Sequence, residues 1–219
     1  MTLRLAIVGA ESTGKSTLAQ ALAETLRQST GLPCVAVPEW LRDWCEREGR
    51  TPRAHEQAAI AAEQRARIDA AAKRHAIVVC DTAPLMTAVY SRLVFGDRSL
   101  DRAAVAWHRG VDLTLLTALD LPWVADGLQR DGPHVRTPVD TLLREMLLGH
   151  GLPWAGVGGQ GAARLEQALD AVAPLVRRLQ TPRPGLFTRL DERNAEPAAR
   201  LWRCELCDDP ACEHLLRGR

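Results

Sequence analysis

Residues 9–17 read Gly-Ala-Glu-Ser-Thr-Gly-Lys-Ser-Thr, and no other stretch limits the fold of this chain as tightly. The pattern G-x-x-x-x-G-K-[ST] is that of a phosphate-binding loop. Its two glycines, Gly9 and Gly14, allow a tight backbone path on which successive N–H groups face the phosphates. Ser12, Thr13 and Thr17 belong to the same nucleotide-binding loop. Lys15 has the slender reach and point charge to meet the β- and γ-phosphates, and the Ser16 hydroxyl is placed to ligate Mg²⁺. Such a loop works only between a buried strand and a helix. Both are predicted here: an apolar run over residues 3–10 precedes it, and Leu18, Ala21, Leu22 and Leu26 follow at helical spacing, with Gly31 as a stop. The residues therefore imply ATP and Mg²⁺ as ligands. They do not say where the phosphoryl group goes.

The rest of the chain continues the alternation. Apolar runs at 33–40, 76–82, 111–118 and 152–159 read as further strands. Helices are expected over 39–48, 54–74, 84–95, 99–109, 138–149 and 162–179. This is an α/β pattern, a P-loop NTPase three-layer sandwich with a parallel five-stranded sheet and helices on both faces. It occupies residues 1–180, and residues 181–219 form a Cys-rich C-terminal extension. Only Lys15 and Lys73 are lysines among 28 basic residues, so the chain uses arginine almost everywhere except where the loop requires lysine. A net charge of +1 offers no field for nucleic acid or an anionic membrane, and no apolar run reaches the length of a membrane span. The expected setting is the cytoplasm.

Ligands of parallel sheets bind at the C-terminal strand ends, and carboxylates stand there. Asp81 closes the run Ile-Val-Val-Cys-Asp, where an acid can hold Mg²⁺ or substrate, or else cap the helix that Pro84 begins. Glu39 ends the second strand, where a carboxylate can take the proton of an acceptor hydroxyl, or simply open a helix. Arg42 follows one turn later and is a candidate substrate contact. Residues 124–133 are polar and glycine-punctuated and read as a loop or lid. Asp126 and Arg130 lie in it, and Arg136 begins the next helix. A cationic loop of this kind can close over phosphates and exclude water, or it can be a solvated loop in an arginine-rich chain.

The stretches Gly-Ala-Glu-Ser-Thr-Gly-Lys-Ser-Thr-Leu, Pro-Glu-Trp-Leu-Arg-Asp-Trp, the Asp-Thr after the third strand, and Asp-Leu-Thr leading to Trp-Val-Ala-Asp-Gly-Leu resemble, in this order, the ribosylnicotinamide kinase domain of NadR-type bacterial proteins. The resemblance covers about residues 3–180. It implies a P-loop kinase that transfers the γ-phosphoryl of ATP to the 5′-hydroxyl of nicotinamide riboside, a step of NAD biosynthesis. It implies that Lys15, Glu39, Asp81 and Arg130 serve catalysis, that Glu39, Arg42, Asp81 and Asp126 meet the substrate, and that Arg136 joins the loop in binding nucleotide. Gln129 stands where the family more often has its lid arginine. With one Tyr and two Phe in the chain, stacking on a substrate ring is expected from Trp40, Trp44 or Trp123.

The tail carries Cys204-x2-Cys207-x4-Cys212-x-His214, four ligands of the kind that hold tetrahedral Zn²⁺. Reduced thiols in a tail without metal are the alternative, because Cys212 and His214 are closer in sequence than the usual second pair. Two functions are thus on the table. One is an ATP-dependent kinase of a nucleoside-like small molecule. The other is a regulatory ATP-binding module that acts through the tail.

Overall fold

The structure is a computed structural model and describes residues 2–124 and 132–180. Five strands, β1 (Leu3–Val8), β2 (Cys34–Val37), β3 (Ile77–Asp81), β4 (Leu113–Thr117) and β5 (Trp154–Val157), form one sheet in the order β2-β3-β1-β4-β5. Every pairing is parallel. The strand carrying the glycine loop is therefore central, flanked by the strand that ends in Asp81 and by the one that ends in Thr117.

The pleat sorts the side chains. Leu3, Leu5 and Ile7 of β1 join Ile77, Val79 and Leu115 in one cluster with Leu18, Leu22 and Leu26 of α1 (Lys15–Thr30) and Val172 of α7 (Gly161–Gln180). Ala6 and Val8 face the other way, with Val78, Cys80 and Leu116. There they meet α3 (Gln57–Ala72), α4 (Pro84–Phe95), α5 (Asp101–His108) and α6 (Arg136–Gly149) through Ile68, Leu85, Val105 and Leu143. Both faces of the central strands are covered, which is why these strands read as continuous apolar runs rather than as alternating ones. A connector helix, α2 (Trp40–Glu48, 9 residues), lies after β2 and ends on Gly49, whose φ of 67° lets its N–H reach the Cys45 carbonyl. No described helix is long and apolar enough to cross a membrane.

One buried polar pair locks α5 to the sheet. His108 is fully buried, and its Nε2 lies 2.7 Å from Thr114 Oγ1 in β4. Burial pushes its pKa down to about 4, so it is neutral in the folded protein. The unfolded chain takes up this proton near pH 6.5, and the folded one does not until about pH 4. Stability is therefore complete above pH 6.5 and is lost as the pH falls toward 4. Denaturant titrations at pH 7 and pH 5 should differ by about 2 kcal/mol from this residue, and His108→Gln should flatten the difference by that amount.

Candidate nucleotide and acceptor site

The glycine loop leaves β1 and enters α1 by a path with left-handed turns at Ser12 (φ 54°) and Gly14 (φ 74°). Residues of this handedness aim neighbouring N–H groups to a common side. The first turn of α1 has no side-chain cap and no acidic residue, as suits a helix start that faces an anion. The Lys15 ammonium donates to the Ala10 carbonyl at 2.8 Å, lying back across the loop it serves.

Hydroxyls behind the loop hold it. Thr13 is fully buried, donates to the Ala10 carbonyl at 2.8 Å and meets Thr117 Oγ1 at 2.7 Å. Thr117 also lies 3.2 Å from the Val8 carbonyl. The Thr13 side chain thus faces the sheet, and only its backbone is available to a phosphate. Gly9 sits against the same cluster: a Cβ there would stand 2.0 Å from Thr117 Oγ1. The first glycine of the loop is required because a β4 hydroxyl occupies the place of its side chain.

Asp81 is the last residue of β3 and is 5% exposed. Burial raises its pKa, while a hydrogen bond from Ser16 and the charges of Lys15 and Arg42 pull it back. Its Oδ1 is buried with no hydrogen-bond partner among the described residues. A buried carboxylate oxygen beside a serine hydroxyl at the loop mouth is a donor set that suits Mg²⁺, which takes few protein oxygens and completes its shell with phosphate and water. Thr82, next in the chain, has φ 70°, a conformation that a β-branched residue seldom adopts, and its N–H is held by the Ile7 carbonyl at 3.1 Å.

From the loop a cavity of about 620 Å³ runs toward α2, α3 and α4. Ser12, Thr13, Gly14, Lys15, Ser16 and Thr17 line it, and so do Glu39 and Arg42. Gly9, Asp81 and Arg136 do not line it. Arg136 opens α6, is 9% exposed, and its Nε and Nη2 have no hydrogen-bond partner among the described residues. Asp126 and Arg130 lie outside the described residues, as do Cys204, Cys207, Cys212 and His214. Burial raises the pKa of the Cys34 and Cys45 thiols to about 11 and of the Cys80 thiol to about 12, which disfavours the thiolate at neutral pH.

The aromatic side of this cavity differs from expectation. Trp40, Trp44 and Trp123 do not line it, whereas Tyr90 and Phe95 of α4 do, next to Met86 and Val94. Helical spacing explains this. Leu41, Arg42, Cys45 and Glu46 form the face of α2 turned to the cavity. Trp40 and Trp44 lie four residues apart on another face and are covered by cations: Arg67 and Arg47 stand 3.8 and 5.1 Å from the Trp40 ring, and Arg50 stands 5.0 Å from that of Trp44.

Sequence reasoning also missed two glutamines of α3. Gln64 is 3% exposed and fixes the entry to α2, accepting from the Trp40 N–H at 2.7 Å and donating to the Pro38 carbonyl at 3.3 Å. Gln57 is 5% exposed and lines the cavity. Both lie in an Ala/Gln/Glu/Arg-rich helix where polar residues read as solvent-facing. Only their burial distinguishes them.

Residues 4–164 match the family model of the AAA domain. Among solved structures, the chain is similar to a NadR protein in complex with NR, at 22% identity and a TM-score of 0.63 over 79% of this chain and 50% of that one. A NadR protein in complex with NAD and AMP-PNP matches at 20% identity and a TM-score of 0.60, over 79% of this chain and 49% of that one. Thymidylate kinase from Ehrlichia chaffeensis matches at 17% identity and a TM-score of 0.54, over 80% of this chain and 98% of that one. The chain spans about half the length of the two NadR proteins, and at these identities the likeness is one of fold. A search of curated proteins finds no match.

Proposed function

The chain belongs to the AAA-domain family, and from that footing we propose that it is an ATP-dependent kinase of a nucleoside-like small molecule, with nicotinamide riboside as the first acceptor to test. The observation that carries the reading is the shared cavity: the glycine loop and Glu39 line the same 620 Å³ space, so a donor phosphate and an acceptor hydroxyl can occupy one enclosure. Lys15 neutralises the transferring phosphoryl group. Asp81 and Ser16 would hold Mg²⁺, which supplies charge neutralisation between the phosphates. Glu39 begins α2 at the cavity wall, where it orients the acceptor hydroxyl and takes its proton. Arg42, on the next turn, offsets the charge of the Asp81 carboxylate and holds substrate oxygens. Tyr90, Phe95 and Met86 provide the apolar wall for a flat ring, and Gln57 offers it an amide.

Arg130 of the lid and the buried Arg136 at the start of α6 are proposed to meet the phosphates, which would satisfy the guanidinium nitrogens that Arg136 leaves open, and Asp126 is proposed to meet the substrate. The Cys204, Cys207, Cys212 and His214 cluster is proposed as a Zn²⁺ site of the extension, to be checked by metal analysis of protein never exposed to chelator.

The kinase reading is tested by ADP release from ATP with a nucleoside panel headed by nicotinamide riboside. Acceptor-stimulated turnover is expected, and Glu39→Gln should lower it by roughly 10²- to 10⁴-fold with ATP affinity retained. Turnover indifferent to every acceptor and to Glu39→Gln would favour the regulatory ATPase instead.

A further inference from the structure

Arg164 lies on the first turns of α7, on the far side of the sheet from the acceptor cavity, and nothing in its local sequence singles it out among 28 basic residues. It is 4% exposed. All three guanidinium nitrogens are engaged. Nε donates to the Gly159 carbonyl at 2.8 Å, Nη2 pairs with Asp120 Oδ1, and Nη1 donates to the Thr13 carbonyl. Asp120 is held in turn by the Gly159 N–H on its other oxygen. The cluster thus joins the loop after β4, the loop after β5 and α7 to one carbonyl in the glycine loop, 151 residues away in sequence.

The carbonyl is the informative partner. A peptide unit is planar and, as everywhere among the described residues, trans. Its C=O and N–H therefore point in opposite directions. Fixing the Thr13 carbonyl from behind fixes the Gly14 N–H toward the phosphate side. The donor is a buried cation, so the hydrogen bond also polarises the peptide and strengthens the N–H as a donor. Gly14 is left-handed at φ 74°, and a Cβ there would lie 3.1 Å from Leu121 and 4.0 Å from Arg164 Nη1, so the peptide is clasped from that side.

We propose that Arg164, held by Asp120, is a positioning residue of the nucleotide site: it sets the orientation and donor strength of the Thr13–Gly14 peptide, and so makes phosphate affinity depend on the seating of α7. The proposal rests on nucleotide binding by the loop and not on the identity of the acceptor. Its consequence is that α7, which continues toward residue 181, bears directly on the phosphate cradle.

The test is AMP-PNP affinity with Mg²⁺, by calorimetry on the full chain. Arg164→Gln is expected to weaken binding by about 10- to 100-fold, the effect of one charge-assisted hydrogen bond. Asp120→Asn should weaken it less, and the double variant should be no worse than Arg164→Gln, because both act through one guanidinium. Leu143→Ala, a core cavity on the opposite face, controls for loss of stability: it should lower Tm without changing the affinity. In the bound state the Gly14 amide proton should resonate upfield in Arg164→Lys relative to the parent, since lysine cannot hold all three partners. AMP-PNP affinity within twofold of the parent in folded Arg164→Gln overturns the proposal. Should that variant fail to fold, unchanged affinity in Asp120→Asn overturns it equally. Because AMP-PNP binding needs no acceptor, failure of the kinase reading would leave these outcomes in place.

Discussion

Lys15→Met is expected to lower kcat/KM for ATP by about 10³-fold or more, the largest effect of any single substitution in this chain. Methionine keeps the unbranched stem and removes only the ammonium. The ammonium is the cation nearest in sequence to the phosphate-facing amides, and it also lies close enough to Asp81 to lower its pKa. Two consequences follow from one charge. Phosphoryl transfer loses the group that offsets developing negative charge in a partly desolvated site. Asp81, already raised by burial, rises further once Lys15 no longer opposes the shift. Mg²⁺ needs the ionised carboxylate, so the acid limb of the residual Mg²⁺-dependent rate should move to higher pH in the variant. Steady-state kinetics across pH check both parts. Unchanged kcat/KM would remove Lys15 from the chemistry, and an unmoved acid limb would separate Asp81 from it.

Gly9→Ala should destabilise the protein by about 3–5 kcal/mol, combining overpacking with a backbone conformation that L-residues seldom adopt. The new methyl would lie 2.0 Å from Thr117 Oγ1, 3.2 Å from Thr13 Oγ1 and 3.3 Å from Thr117 Cβ. Neither threonine has room to retreat, since both are fully buried and bonded to each other and to backbone carbonyls. Relief must come from the loop, so nucleotide affinity should fall along with Tm. For a domain of this size the expected loss of Tm is roughly 10 °C. Adding Thr117→Ala should restore part of it, because the closest atom is gone while the φ of 153° remains. Thermal melts of the single and double variants decide this. A Gly9→Ala protein with parental Tm would show that the loop yields where the packing says it cannot.

Much of the architecture was legible because it depends on local pattern. Buried parallel strands announce themselves as apolar runs, and the loop Gly9–Thr17 dictates a strand before it and a helix after it. Among the described residues, the five strands and seven α-helices fall where periodicity placed them, with ends shifted by a few residues. The positions of Asp81 and Glu39 were legible in part: Asp81 does close β3, whereas β2 stops at Val37 and Glu39 stands two residues on, as the N-cap of α2. The Trp residues were misread for a reason of geometry. Composition told how many aromatic rings existed, but the phase of α2 turned Trp40 and Trp44 onto arginines and left Tyr90 and Phe95 to line the cavity.

The sequence alone marked a phosphate-loop pattern in a parallel α/β sheet, with a lysine, a serine and an acid at the positions from which ATP and Mg²⁺ are expected to be held. Those are properties of short segments, set by backbone sterics and hydrophobic periodicity. Which distant groups brace that loop was settled by tertiary packing. Thr117 behind Gly9 and Arg164 behind Thr13 come from positions more than 100 residues away. A hydroxyl or guanidinium carries no local mark of its partner; burial, which penalises a polar group left without one, is what joins them.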